Sequence, residues 1–309
     1  MRRGLALLAL VGVCALGPVL ASGVAPPEIE RFDVEMAADA RLDFRGALAV
    51  RPPEDAYGGL SGALYRDGEL LAVGDRAHWA RIALRIEAGR LTGVDGVRMA
   101  PMLDASGAVA TGAGWDAEGL ARALGGGLLV SFENDHRIQR FDRPGARAGA
   151  EMRLDAWEAF SVNGGLEALA VDPAGRIWAI RERSGAADRP FPVFVFDGAS
   201  WSEKSLPRDG GFSATGADFG PDGALWIVER DFSFLSGFRT RIRRARWSDG
   251  AAPDVIETMA VFGAGDGLDN LEGVAVWREE GETRLLVIAD DNFAFLQRNV
   301  IAMFALRDD

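Results

Sequence analysis

The sequence predicts an all-β fold, a β-propeller of four-stranded blades, and three observations carry that expectation. Apolar residues come in short runs broken by Gly, Pro, Asp and Asn, with 39 glycines in 309 residues, the spacing of many strands and few helices. Tight-turn chemistry separates the runs: Arg66-Asp67-Gly68, Asp172-Pro173-Ala174-Gly175, Gly220-Pro221-Asp222-Gly223 and Ser248-Asp249-Gly250 each supply a glycine free to take positive φ. One unit also recurs: a small residue, an acid, Gly or Ala, an apolar pair, a Gly-marked turn, a second apolar run and another acid. Its anchors Ser61, Glu118, Glu167, Asp218 and Glu272 stand about 50 to 57 residues apart, a period of arrays and propellers.

Taken in order, residues 1–21 read as a signal peptide. Arg2 and Arg3 precede an apolar stretch over 5–20, and Val19-Leu20-Ala21 fits a small-residue cleavage rule. The only cysteine, Cys14, leaves with it, so the mature chain has no disulfide, thiol nucleophile or thiolate metal site. Segment 22–56 holds strand-like residues over 29–50. Residues 57–309 carry the repeats and form a single domain with 22–56. In the third repeat the four strands fall at 166–171, 177–181, 193–196 and 201–206. The last repeat has room for three strands and ends with 300–306, so an N-terminal strand is expected to complete it and close the ring. The motif count gives five blades; a sixth requires 29–50 and part of 90–102 to build another. The one helix-like stretch is 154–160.

The formal net charge is −12 and the sequence pI about 4.8. With no basic cluster, that charge argues against nucleic acid and anionic membranes and suits cation binding. No stretch after the leader reaches the ~18 apolar residues that span a bilayer. The expected product is a monomer, periplasmic or secreted, acting on a small-molecule ester or other ligand.

In a propeller the innermost strands line the channel, so the repeat must bring its acids together. Glu118, Glu167, Asp218 and Glu272 form an expected inner tier, with Asp75, Glu133, Glu182, Glu229 and Asp290 beside them at the mouth. Bare carboxylates at that density repel, and desolvation adds to the cost. A hard cation such as Ca²⁺ resolves this. So do arginines, of which Arg76, Arg181, Arg183 and Arg230 adjoin the second tier, and so does protonation. A repeated acid that merely caps backbone N–H groups between blades carries equal weight at any single position. The two histidines, His78 and His136, each follow a second-tier acid by three residues, a spacing that suits acid–base or ligand roles. Gly59-Leu60-Ser61-Gly62 misses the nucleophile-elbow spacing. Gly263-Ala264-Gly265-Asp266-Gly267 reads as a loop, and the five arginines of 239–246 read as a solvated outer strand.

Gly58-Gly59-Leu60-Ser61-Gly62, Gly74-Asp75-Arg76, Asp116-x-Glu118-Gly119-Leu120-Ala121, Ser131-x-Glu133, Asn163-x-Gly165-x-Glu167-Ala168-Leu169, Glu182-Arg183 and Leu271-Glu272-Gly273-Val274 resemble the phytase-like domain of exported bacterial proteins with "esterase-like activity of phytase". The resemblance covers about residues 57–306. It implies a propeller whose acids serve phosphoesterase or phosphodiesterase chemistry with calcium. The expected enzyme is a metal-assisted phosphoric ester hydrolase. His78, His136, Glu118 and Glu167 are its catalytic candidates, and Arg76, Arg183 and Arg230 its substrate-binding ones. Asp75, Glu118, Glu133, Glu167, Glu182, Asp218, Glu229, Glu272 and Asp290 are its Ca²⁺ ligand candidates. The chain has a single lysine, Lys204, where a phytate enzyme would want a lysine-rich lining. A non-catalytic ligand- or partner-binding propeller and a carboxylic or lactone esterase are the alternatives.

Overall fold

The first strands among the described residues are β1 (Glu28–Phe32) and β2 (Leu42–Arg51), which do not form a blade of their own. Four antiparallel sheets follow, each built from consecutive strands. Blade 1 holds β3 (Leu60–Arg66), β4 (Glu69–Gly74), β5 (His78–Glu87) and β6 (Arg90–Pro101). Blade 2 holds β7 (Asp116–Arg122), β8 (Leu128–Glu133), β9 (Arg137–Phe141) and β10 (Glu151–Met152). Blade 3 holds β11 (Leu166–Val171), β12 (Ile177–Arg181), β13 (Phe191–Phe196) and β14 (Trp201–Leu206). Blade 4 holds β15 (Ser213–Phe219), β16 (Leu225–Ser233), β17 (Gly237–Arg246) and β18 (Val255–Phe262). Blade 5 holds β19 (Leu271–Glu279), β20 (Glu282–Ala289) and β21 (Val300–Leu306). This computed structural model describes residues 27–51, 58–161, 164–233, 237–263, 265–268, 270–290 and 298–307. The signal-peptide expectation over 1–21 lies outside them.

The N-terminal closure is present, with two strands instead of one. β2 pairs antiparallel with β21, Ala47 opposite Ala302, and β1 pairs outside β2. The fifth sheet therefore reads β1-β2-β21-β20-β19. This fixes the number of blades at five, because 28–51 is spent on blade 5 and 90–101 is the outer strand of blade 1. The helix-like stretch is a single 3₁₀ turn, Asp155–Ala159, with Trp157 buried.

The core is divided among the five blade interfaces. Separate apolar clusters lie between blades 1 and 2 around Trp79 and Phe132, between 2 and 3 around Trp157 and Leu169, and between 3 and 4 around Phe191 and Ile227. Two more lie between blades 4 and 5 around Trp226 and Phe304, and between 5 and 1 around Leu70 and Met303. Each fully buried Leu, Phe or Met contributes about 1.5–3 kcal/mol of transfer free energy. Every interface thus carries its own stabilisation.

The inner strands β3, β7, β11, β15 and β19 touch one another around the axis. Their approach explains the glycine of the repeat. A Cβ on Gly62 would sit 2.2 Å from Leu120 N, on Gly119 2.8 Å from Glu167 O, on Gly216 2.6 Å from Glu272 O, and on Gly273 2.8 Å from Ser61 O. No side chain fits such gaps. At each of these four positions, and before Ala168 in blade 3, the ladder slips: between Leu60 and Ala63, Ala117 and Leu120, Leu166 and Ala168, Ala214 and Gly216, and Leu271 and Gly273. A bulge of this kind re-aims the side chain it carries.

Candidate functional site

The five bulges carry Ser61, Glu118, Glu167, Thr215 and Glu272, which are the equivalent inner-tier positions. The second tier follows from the partner strand. Asp75 N donates to Gly59 O at 3.0 Å, Glu182 N to Gly165 O at 3.0 Å and Asp290 N to Asn270 O at 3.2 Å. Glu133 stands opposite Asp116, and Arg230 opposite Ser213. The second tier is therefore Asp75, Glu133, Glu182, Arg230 and Asp290. Together the tiers enclose a cavity of about 250 Å³ on the axis. Ser61, Asp75, Asp116, Glu118, Glu133, Glu167, Glu182, Glu272 and Asp290 line it, with Arg183 and Arg230. Eight carboxylates thus face two guanidinium groups.

Blade 4 departs from the other blades at both positions. Thr215 carries no charge and donates its hydroxyl to Leu271 O at 2.6 Å. Arg230 reaches among the acids: it pairs closely with Glu272, lies 3.6 Å from Glu182 and 3.8 Å from Glu167, and donates to Asn270 Oδ1 at 2.7 Å. Burial alone would weaken its proton affinity. The surrounding Glu272, Glu167, Glu182 and Glu118 outweigh burial and hold the guanidinium firmly charged.

One arginine cannot neutralise the set. Burial, then the neighbouring Asp116 and Glu133, push the Glu118 carboxyl well above the ordinary carboxylate range. Burial and then Glu182 and Glu118 do the same to Glu167. Glu272 is pushed up to about 8 by burial against the pull of Arg230, and Asp116 to about 6 by burial and then Glu133. Some of these groups hold protons at neutral pH unless a cation joins them.

The blade 2 side has the geometry for such a cation. Carboxylate oxygens of Asp116, Glu118 and Glu133 lie within 4.8 Å of one another. Asp116 Oδ2 accepts from Asn134 Nδ2 at 3.0 Å, while its buried Oδ1 has no hydrogen-bond partner. Glu133 Oε1 accepts the N–H of Gly164 at 2.6 Å and of Gly165 at 3.2 Å, which anchors it to blade 3. The donor set is all oxygen, the preference of a hard divalent ion such as Ca²⁺. The unpartnered Oδ1 of Asp116 leaves that set with an acceptor a bound cation would satisfy.

Of the residues singled out in the sequence, Asp75, Glu118, Glu133, Glu167, Glu182, Arg183, Arg230, Glu272 and Asp290 come together here. Arg183, exposed at the rim, pairs with Glu182 at 2.9 Å. Arg76 is exposed on the turn beyond Asp75 and does not line the cavity.

Asp218 and Glu229 are corrections. Asp218 lies three residues past the bulge and accepts the N–H of Val276 in the next blade at 2.8 Å, a cap between blades. Glu229 is one residue short of the tier position, so strand alternation turns it away from the axis. There it is fully buried and held by Arg241 and Arg243. Those two arginines are buried as well, which also corrects the expectation of a solvated strand over 239–246.

The histidines stand outside the cavity. His78 begins β5, packed behind Gly74 and Gly59, and burial pushes its imidazole down to about 4, so it is neutral at neutral pH. His136 lies against Gly165 and the Phe160 ring, with Nε2 3.1 Å from Ser161 O. Both support the loops that present second-tier acids. Asp116, which sequence reasoning left out of the site, is the extra carboxylate of blade 2. The signal was there in Asp116-Ala117-Glu118, because alternation sends both acids to one side of the strand.

A family model described as "Phytase-like: Esterase-like activity of phytase" matches residues 55–293. No curated protein matches the chain. Among solved structures, the GH32 beta-fructofuranosidase of Bombyx mori is similar at 9% identity and a TM-score of 0.52, over 88% of this chain and 64% of that one. A luciferin-regenerating enzyme covers 91% of this chain and 97% of its own at 11% identity and a TM-score of 0.47. Virginiamycin B lyase from Staphylococcus aureus covers 91% and 99% at 10% identity and a TM-score of 0.45. At these identities the likeness is one of fold.

Proposed function

The chain belongs to the phytase-like family (esterase-like activity of phytase), and from that premise we propose that it is a divalent-cation-dependent phosphoric ester hydrolase working in the axial cavity. One observation carries the reading: Asp116, Glu118 and Glu133 converge, with a buried oxygen unpartnered, in the same cavity as Arg183 and Arg230.

In this reading Asp116, Glu118 and Glu133 hold one Ca²⁺, which supplies charge neutralisation and Lewis-acid polarisation of a phosphoryl oxygen when bound. Arg183 at the rim and Arg230 inside take the remaining anionic oxygens of the ester. Glu167 is buried, its carboxyl raised by burial and by the neighbouring Glu182 and Glu118, and it is not one of the three residues that hold the metal ion. It takes over the general-acid duty first assigned to His78 and His136, which do not line the cavity. It donates its proton to the leaving alkoxide oxygen as water adds to phosphorus and the ester P–O bond breaks, and the proton lost by the attacking water returns to Glu167 and restores it. The basic-then-apolar segment 1–21 supports a periplasmic or secreted location, and nothing in the cavity calls for a second copy of the chain.

A non-catalytic, cation-binding propeller is the second reading. It draws on Glu133 and on Asp290, whose Oδ1 accepts the N–H of Leu60 in blade 1 at 3.1 Å. Such blade-to-blade bonds are structural work. Turnover of a panel of phosphomonoesters, phosphodiesters and acyl esters, with calcium and with chelator, separates the readings. The hydrolase reading expects calcium-dependent phosphoester turnover that drops at least about a hundredfold in Glu118→Gln and Asp116→Asn. Calcium binding without turnover supports the second reading, and acyl turnover alone supports a carboxylic esterase. Full phosphoester activity in Glu118→Gln would remove the cavity from the chemistry.

A further inference from the structure

The axial ring is one site in register but two in charge. On the blade 2 side, Asp116, Glu118 and Glu133 have no arginine or lysine within ion-pair distance among the described residues. Across the axis, Glu167, Glu182 and Glu272 share the guanidinium of Arg230. That guanidinium grows from the second-tier position that is an acid in the other four blades, and the inner-tier neighbour in its own blade, Thr215, is uncharged. Blade 4 has thus exchanged two carboxylates for one tethered positive charge.

We infer that Arg230 is a resident cation occupying the half of the ring that would otherwise take a second metal ion, so that the cavity accepts a single divalent cation, against blade 2. This rests on the cation reading of the cavity given above and sharpens it from a calcium site to a one-ion site with an internal partner. Three carboxylates within 4 Å of one half-buried positive group are the surroundings expected of a bound cation, and the group there is covalently part of the chain. A guanidinium also offers something a second ion does not. It is always charged, needs no capture from solution, and presents planar N–H donors that match two oxygens of a phosphoryl group. In this arrangement the ester lies across the axis, between the captured ion and the resident one. That geometry suits a compact mono- or diester headgroup better than a substrate with several phosphates.

The stoichiometry of calcium binding to the full chain, by isothermal titration calorimetry and equilibrium dialysis, tests the inference. The wild type is expected to bind one Ca²⁺. Arg230→Met, which frees Glu167, Glu182 and Glu272, is expected to bind two, and Arg230→Lys, which keeps the charge, one. One ion in a folded Arg230→Met, or two in the wild type, would overturn the inference and leave the cation reading standing. No ion in the wild type would overturn that reading itself. Because Arg230→Met leaves Glu167 and Glu272 without their cationic partner and Glu182 with Arg183 alone, a second pair of variants guards against a folding failure. Glu118→Gln is expected to abolish binding of the single ion, whereas Glu272→Gln is expected to keep it with affinity within about fivefold. Equal loss in both would show one shared site and sink the division.

Discussion

Blade 2 and blade 4 are built on the same backbone and do opposite things. Each has an inner strand with a bulge, a glycine pressed against the next blade, and a second-tier residue paired opposite the first residue of the inner strand. Blade 2 places Glu118 and Glu133 on those positions and adds Asp116 beside them. Blade 4 places Thr215 and Arg230 there. A propeller whose blades all resembled blade 2 would concentrate negative charge beyond what burial permits. One whose blades all resembled blade 4 would hold no carboxylate pocket for a metal ion. The difference shows that the fold fixes where side chains converge, while substitution at two positions per blade decides what the convergence does.

The largest effect expected from this comparison comes from making blade 4 more like its siblings. Thr215→Glu restores the acid of the repeat, yet it removes the hydroxyl bond to Leu271 O and buries a further carboxylate beside Glu272. It should cost about 2–4 kcal/mol at pH 8 without divalent cation, read by urea unfolding, with part of the loss recovered on adding calcium. A neutral or stabilising result would mean that Arg230 has charge to spare.

A smaller effect is expected at Asp218, which blade 4 uses as a structural cap. Burial holds its carboxyl up to about 7, above the ordinary 3.8. The folded chain therefore binds this proton more tightly than the unfolded chain. The resulting stability is complete below about pH 4 and is lost as pH rises through about 7. Asn in its place still accepts the Val276 N–H and cannot ionise. Between pH 5 and pH 8 the wild type should lose about 3 kcal/mol relative to Asp218→Asn, since each unit is worth ~1.4 kcal/mol. Parallel pH profiles for the two proteins would remove Asp218 from the account.

The smallest effect is expected from His136→Gln. If the histidines only brace loops, turnover should change by less than about threefold with no displaced pH optimum. A large fall with a lost basic or acidic limb would return His136 to the chemistry and shift weight from Glu167.

Much of the fold was legible in the sequence because strand and turn signals are local. The strands of blade 3 were readable from Leu166 to Leu206 within two residues, since Asp172-Pro173-Ala174-Gly175 sets one turn and apolar runs flank it. Ring closure was legible because the last repeat was visibly short of strands. The tiers were legible in four blades and misread in the fourth, for a physical reason. Reading by acid identity followed Asp218, whereas the structure is organised by the residue before the axial glycine. Ser61-Gly62, Glu118-Gly119, Glu167-Ala168, Thr215-Gly216 and Glu272-Gly273 share one place, and only the close approach of neighbouring backbones makes that small residue the reliable marker. The histidines misled because a fixed spacing after an acid spans a tight turn, which carries them past the mouth and behind it. Asn134 and Ala77, both at positive φ in those turns, mark the reversal.

The pairing of β2 with β21 also sets a schedule. On a ribosome, β1 and β2 are made first and their sheet partner last, so blades 1 to 4 can assemble while the strands that end the circle wait. Until 300–306 arrives, β2 has one open edge, and so does the far side of β20. Such edges are adhesive. The final step is a long-range closure, the slow kind in chain-topology terms. The axial site draws on all five blades, so a chain stalled before 300–306 would carry all eight of its acids without the closed ring that holds them together.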